Sequence, residues 1–299
     1  MTLLLPNKTT YTPYAILNFT PDSFSDGGIF FDPVLAYRRV SYLKKIGVDY
    51  IDLGAQSTAP YNCDIGEDEE LNRVKALLNP KFLSLLEGFY VSIDSFRPNV
   101  VFYVWDLIKR YNPRGFVWND VSGVVDIHVK NFLRLSDSCR YVLSHNNCGQ
   151  REYCCNHMDY VTNLAGEQFI ESVISSFEYK LSSFPEIVHK KIILDVCFGF
   201  SKTASQNYLL LKKHKEIERC FPTINSWIVG VSRKSFLKKV VNDQLLPEEI
   251  GTNQLNSILS SLETYCVNKF FRGSCNYYIR THVPENFVIF DSIDIITDS

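Results

Sequence analysis

The chain has 299 residues, 45% of them apolar and 14% aromatic, with a formal net charge of −2. That is enough apolar mass for a large core, either one α/β domain or two smaller ones. A near-neutral balance argues against a nucleic-acid binder, whose footprint is basic. No apolar run approaches ~18 residues, so no membrane span is expected. The stretch Met1 to Lys8 is too short and polar for a secretory signal. Nine cysteines in a long, core-rich chain read as reduced thiols, which suits a cytoplasmic protein.

Tyr14 to Phe19 is the first strand-like run, followed by a polar loop, Thr20 to Gly28, punctuated by Pro and paired Gly. A helical pattern from Val34 to Lys45 closes at Gly47. Tyr50 to Gly54 is the second strand, and Leu71 to Leu78 the next helix. Phe89 to Ile93 is a strand ending at Asp94, with a helix over Asn99 to Ile108. Gly115 to Trp118 ends at Asn119-Asp120, and Tyr141 to Leu143 ends at Ser144-His145. Ala165 to Leu181 is a long amphipathic helix. Ile192 to Leu194 ends at Asp195, with a helix over Gln206 to Glu218. Trp227 to Val231 delivers Ser232-Arg-Lys-Ser235 to a helix start. Gly251 to Val267 is a helix, Tyr277 to Ile279 the last strand, ending at Arg280-Thr-His282, and Pro284 to Ile295 the last helix.

Eight short apolar strands alternating with helical patterns imply a parallel sheet. Eight units in this length match a closed (β/α)8 TIM barrel, which typically takes ~250 residues. The expected organisation is one domain over residues 14–299 behind a tail of residues 1–13. An open doubly wound sheet is the runner-up, though no G-x-G-x-x-G turn follows the first strand.

In a barrel the carboxyl ends of all strands converge on one face, where active sites lie. Those ends read Asn18, Asp52, Asp94, Asn119, His145, Asp195, Lys234, and Arg280 with His282. Asp94, Asn119, Asp195 and Lys234 suit a nitrogen-rich heterocycle. The acids accept from ring N–H and amino groups, while Asn and Lys address a ring carbonyl and ring nitrogens. Arg280, His282 and Asn18 suit an oxyanion such as a diphosphate. The amide oxygen of Asn18 also suits Mg²⁺ that shares phosphate and water oxygens.

These segments together resemble the dihydropteroate synthases of the pterin-binding family. Asn18-Phe-Thr-Pro-Asp-Ser-Phe-Ser-Asp-Gly-Gly28 matches the family's first loop, and Asp52-Leu-Gly-Ala-Gln-Ser-Thr-Ala-Pro60 its second. Ser92-Ile-Asp-Ser95, Asn119-Asp-Val-Ser-Gly123, Asp195 to Thr203, Ser232 to Phe236 and Arg280-Thr-His282 match later blocks in order. The resemblance implies the fold above and condensation of (7,8-dihydropterin-6-yl)methyl diphosphate with 4-aminobenzoate. It implies that Asp94, Asn119, Asp195 and Lys234 hold the pterin. Arg280, His282 and Asn18 hold the diphosphate with Mg²⁺, and Thr58 and Ser235 serve the aminobenzoate. Asp94, Lys234 and Arg280 carry the catalysis. Small molecules are the expected partners, sulfonamides the expected competitors, and a homodimer the expected assembly.

Three departures stand out. Ala59 replaces the family's Arg in the second loop. Val196-Cys-Phe198 replaces Pro-Gly-Ile, so the pterin floor is reshaped. Ser92 to Pro98 is nearer to sulfonamide-insensitive variants. Two rivals share the pterin contacts: a pterin-barrel methyltransferase with a corrinoid partner, and a pterin-binding protein with little catalysis. Five possible metal ligands fall between His145 and His157, but without a C-x₂-C pair reduced thiols are the simpler expectation over zinc. Glu69, Glu70 and the charges from Lys212 to Glu218 read as solvated helix faces.

Overall fold

Successive side chains of a strand point to opposite faces, so each strand of a barrel feeds two cores. The computed structural model describes residues 10–20, 32–56, 64–244, 251–271 and 275–288. Its strands are β1 (Thr10–Asn18), β2 (Tyr50–Gly54), β3 (Tyr90–Asp94), β4 (Gly115–Asp120), β5 (Cys139–Ser144), β6 (Ile192–Asp195), β7 (Ser226–Val229) and β8 (Asn276–Thr281). They pair in chain order, all parallel, and close into a barrel. The closing pair runs from Thr10↔Asn276 to Ala15↔Thr281, which excludes the open sheet.

The helices described are α1 (Pro33–Lys45), α2 (Glu67–Leu77), α3 (Pro80–Leu85), α4 (Pro98–Ile108), α5 (Ile127–Arg134), α6 (Gly166–Leu181), α7 (Glu186–His189), α8 (Ala204–Arg219), α9 (Ser235–Gln244) and α10 (Thr252–Phe270). Several of their starts are fixed by side-chain caps. Asp32 caps α1 by accepting the Val34 N–H at 2.8 Å, with Pro33 in the first turn. Thr203 and Gln206 form a reciprocal capping box on α8. Outward-facing residues of the strands, such as Leu17, Leu53, Trp118, Leu194 and Trp227, pack under these helices in one continuous core. Inward-facing Tyr14, Tyr50, Val117, Val142, Ile193, Ile228 and Tyr278 form a second, separate cluster inside the barrel.

Several elements differ from the sequence reading. β1 begins at Thr10, inside the expected tail, because Thr10 to Pro13 pair with Asn276 to Ile279. β7 stops at Val229, so Lys234 stands in the turn before α9 and not at a strand end. Helix α5 was not expected. Its signal was present: Asp126 accepts the His128 and Val129 N–H groups, and Val129, Phe132 and Leu133 are buried at helical spacing. Of the last predicted helix, only 284–288 lies within the described residues, with 285–288 helical.

Two charged stretches are solvated faces only in part: Lys212 and Glu216 are exposed as expected, but other members turn inward. Glu70 is fully buried and pairs with Arg97. Glu218 is largely buried beside Lys215 and bonds Tyr277, and His214 packs edge-on against Trp227. Glu69 does sit outside, paired with Arg73.

Candidate active site

The mouth of the barrel is built by register. Asp52, Asn119, Ser144, Asp195 and Arg280 each lie two residues beyond a member of the inner apolar cluster, namely Tyr50, Val117, Val142, Ile193 and Tyr278. Period two therefore turns all five inward, one layer nearer the carboxyl ends. Asn18 and Asp94 join the same ring, since Asn18 pairs with Gly54, Gly54 with Asp94, and Asp94 with Asn119.

Arg280 is the hub. Its Nε donates to Asp52 Oδ2 at 2.6 Å and its Nη2 to Asp94 Oδ2 at 2.6 Å. Asn119 Nδ2 donates to the same Asp52 oxygen at 3.0 Å. Asp52 has no solvent exposure, and its Oδ1 has no partner among the described residues. The Asp94 carboxyl is pushed up by burial and by neighbouring Asp52, and drawn back down by the Arg280 guanidinium. Arg280 is held firmly charged by the two carboxylates despite its burial. Among the strand ends, Asp52 received no ligand role in the sequence reading. The structure places it at the centre of the network.

Gly54 leaves space between two of these groups. A Cβ there would lie 3.0 Å from Asn18 Oδ1 and 3.8 Å from Asp94 Cβ. Asn18 and Asp94 thus face one small volume that only a glycine keeps open.

Lys234 enters from the turn before α9. Its ammonium lies 4.4 Å from the Phe200 ring centroid, and burial pushes its pKa down. Gly199, at φ +86°, clears its stem: a Cβ there would lie 3.3 Å from Lys234 Cδ. Burial pushes Asp195 up, opposed by the Cys197 N–H at 2.7 Å and by the charges of Lys234, Lys202 and Arg280. The loop after β6 is pinned by Lys202, whose Nζ donates to the carbonyls of His145, Cys197 and Phe200 at 2.8, 3.2 and 2.9 Å. This buried lysine was not singled out in the sequence, because its partners are backbone oxygens.

Cys197 and Ser201 occupy left-handed backbone at φ +55° and +52°, where an L side chain costs roughly 1–2 kcal/mol. Ser201 offsets that with its Oγ, which donates to Asn146 Oδ1 at 2.6 Å and reaches His157 O at 2.9 Å.

His282 is held by Ser232, whose Oγ lies 3.1 Å from its Nδ1. Burial and the surrounding cations Arg233, Arg280 and Lys234 push its pKa well down, which favours the neutral imidazole. Ser235 opens α9 with its side chain exposed. His145 goes elsewhere. Its ring packs edge-on against Phe177 of the outer core at 5.9 Å, although its backbone ends β5 as expected. Thr58 and Ala59 lie outside the described residues. Both flanks of that segment are tied to one side chain, Arg97, which bonds Gln56 on one side and Asp64 on the other as well as Glu70.

Among the described residues, no three His, Cys, Asp or Glu side chains converge to hold a metal ion. The donor set at the mouth instead offers the neutral Asn18 Oδ1 beside the cradle over Gly54. That fits Mg²⁺, which usually keeps waters and is bound largely through substrate phosphates. It does not fit a closed zinc centre.

The model of a family described as "Pterin binding enzyme" matches residues 14–269. A dihydropteroate synthase type-3 from Escherichia coli is 32% identical over 276 residues, covering 90% of this chain and 92% of that one. A dihydropteroate synthase from Synechocystis is 33% identical over 245 residues, covering 81% and 78%. The crystal structure of dihydropteroate synthase from Anaplasma phagocytophilum with bound 6-hydroxymethylpterin-monophosphate superposes with a TM-score of 0.72 at 21% identity, covering 97% of this chain and all of that one.

Proposed function

The chain belongs to the pterin-binding enzyme family, and from that premise we propose that it is a dihydropteroate synthase. It joins (7,8-dihydropterin-6-yl)methyl diphosphate to 4-aminobenzoate and releases diphosphate, a transfer in folate biosynthesis. The observation that carries this reading is the inward ring of Asp52, Asp94, Asn119 and Asp195 with Arg280 bridging two of its carboxylates. A polar ring of that composition, set on an apolar barrel floor, needs a flat ligand with several N–H groups to satisfy its acceptors.

The pterin takes the inner position. Its ring N–H and amino groups donate to Asp94 and Asp195, and Asn119 and Lys234 serve its carbonyl and ring nitrogens. Arg280 holds Asp52 through Nε and Asp94 through Nη2, and its remaining N–H groups serve the diphosphate with His282 and Asn18. Asn18, together with the substrate's phosphates, would hold Mg²⁺, which would supply charge neutralisation of the leaving group.

The remaining steps belong to the chain. As diphosphate leaves, positive charge grows on the pterin methylene, and the Asp94 carboxylate stabilises it electrostatically. The aryl amine of 4-aminobenzoate attacks that carbon, and its proton passes to solvent or diphosphate. Ser235 at the start of α9 receives the aminobenzoate carboxylate, aided by the free N–H groups of the first turn. No covalent enzyme intermediate is needed.

Expression in a bacterial strain lacking its own synthase tests the reading. Growth without added folate products supports it. Failure to rescue, with pterin binding retained by the purified protein, would favour a binding protein without turnover. The methyltransferase rival is disfavoured by Arg280 and His282, since a methylated folate carries no diphosphate for them.

A further inference from the structure

Four cysteines gather beside the mouth. Cys148 follows β5, Cys154 and Cys155 lie in the 3₁₀ segment Arg151–Tyr160, and Cys197 lies in the loop after β6. With Phe96 and Val121 they form a small cluster apart from both barrel cores. Cys148 Sγ and Cys154 Sγ stand 3.5 Å apart, closer than two non-bonded thiols need, and six residues apart in sequence. Cys148 is 3% exposed and Cys154 fully buried. The Cys154 thiol donating to the Cys148 sulfur draws the Cys148 pKa down, and nearby Lys180 adds to that. Neither thiol has a task in the condensation.

We propose that Cys148 and Cys154 form a redox-modification site, a dithiol that a small hydroperoxide converts to an intramolecular disulfide. The Cys148 thiolate attacks one peroxide oxygen. An S–O bond forms, the O–O bond breaks, and one water leaves once the departing hydroxide is protonated. The Cys154 sulfur then attacks the Cys148 sulfenic acid. The S–S bond forms, the S–O bond breaks, and a second water leaves. Two thiols give up two electrons and two protons, and hydrogen peroxide is reduced to two waters.

Closing the bridge brings the sulfurs from 3.5 Å to about 2.05 Å. The movement falls on a segment wired to the mouth from both sides. Cys155, the next residue, has its Sγ 3.1 Å from Gln56 Nε2, just beyond β2. Arg151, three residues before Cys154, bonds Asp120 at the end of β4, next to Asn119, and Ser122 in the loop that follows. Oxidation therefore lowers turnover by shifting Gln56 and Asn119. This consequence rests on the proposed synthase activity, whereas the bridge itself does not.

The reduced, full-length protein is treated with a few equivalents of hydrogen peroxide. Free thiols are then blocked with N-ethylmaleimide and the chain is mapped by mass spectrometry. The expected result is a loss of two hydrogens and two alkylation sites, a linked Cys148–Cys154 peptide, and full reversal by dithiothreitol. In Cys154→Ser, Cys148 should stop at a sulfenic acid that dimedone traps, and Cys148→Ser should give neither product. Bridging of another pair, or bridging seen only in denaturant, would overturn the site. Dihydropteroate formation before oxidation, after it, and after re-reduction reads the coupling. A severalfold, reversible loss supports it, and a complete bridge with unchanged turnover overturns it. A bridge in a chain inactive in both states would sink the synthase reading and leave the dithiol standing.

Discussion

The two inward layers of the barrel sit on the same strands and are built from opposite chemistry. The lower layer is aromatic and closed. Tyr50 stacks on Tyr90 with ring centroids 4.3 Å apart and on Tyr14 at 5.1 Å, and Tyr278 packs against both Tyr14 and Tyr50. Arg140 donates to the Tyr278 hydroxyl at 2.6 Å and plugs the layer. Two residues further along, the upper layer holds Asp52, Asp94, Asn119, Asp195 and Arg280. Among the described residues each layer leaves a buried oxygen without a partner, the Tyr14 hydroxyl below and Asp52 Oδ1 above. What sets the upper layer apart is its charge, three carboxylates about one guanidinium and one ammonium. A register of two residues thus separates the part of the barrel that holds the fold from the part that waits for a ligand.

That contrast predicts different phenotypes for substitutions on one strand. Tyr50→Ala should be the most damaging to stability, by about 3–5 kcal/mol, because it removes the centre of the stack. Its KM values should stay near wild type in whatever fraction folds, and chemical denaturation read alongside steady-state kinetics would check both. If Tyr50→Ala changed KM for the pterin substrate while leaving stability intact, the two layers would not be separate.

In the upper layer, Asp94→Ala should cost roughly 10²–10³-fold in kcat, the scale of one lost charge-stabilising contact. Near-normal kcat would remove Asp94 from the reaction. Arg280→Ala should weaken the diphosphate substrate and product diphosphate more than it changes 4-aminobenzoate binding, which competition by inorganic diphosphate would measure.

Glu263 sharpens the comparison from outside the ring. It is buried on α10, and burial raises its pKa to about 7. A carboxyl raised in the folded state is neutral there and charged in the unfolded chain between its ordinary value and about 7. The folded chain then binds the extra proton, so stability falls as pH rises through that window. The loss is on the order of 3 kcal/mol. Glu263→Gln should flatten this dependence in thermal unfolding scans across pH 5 to 8, and an unchanged slope would place the titration elsewhere. The smallest effect is expected for Tyr278→Phe, about 1.5–3 kcal/mol in stability for its bond to charged Arg140, with turnover unchanged.

Most of the fold was legible because each strand is a short apolar run that stops at a polar residue, and parallel strands need little else. Helix α5 was passed over although Asp126 and the spacing of Val129, Phe132 and Leu133 announce it; it is short and follows a polar loop. The site was legible as a set of residue types at strand ends. The pairing of Arg280 with Asp52 and Asp94 was not, because β8 meets β2 only through β1 and across the barrel interior, and no local pattern reports a contact through that space. Buried charges were the other blind spot. Glu70 looks solvated beside Glu67, Asp68 and Glu69, and only the position of Arg97 at the root of β3's loop shows why it is not. Ser201 reads as an ordinary residue until its left-handed backbone is seen, and Cys197, which stands out only for its bulk, shares that conformation.

The central claim is that the upper layer joins a dihydropterin to an aryl amine. Purified protein with Mg²⁺, (7,8-dihydropterin-6-yl)methyl diphosphate and 4-aminobenzoate should form dihydropteroate and diphosphate in equal amounts, and Asp94→Ala should form neither at a comparable rate. Tight pterin binding by the wild-type protein without product, or product formation equal in the two proteins, would contradict it.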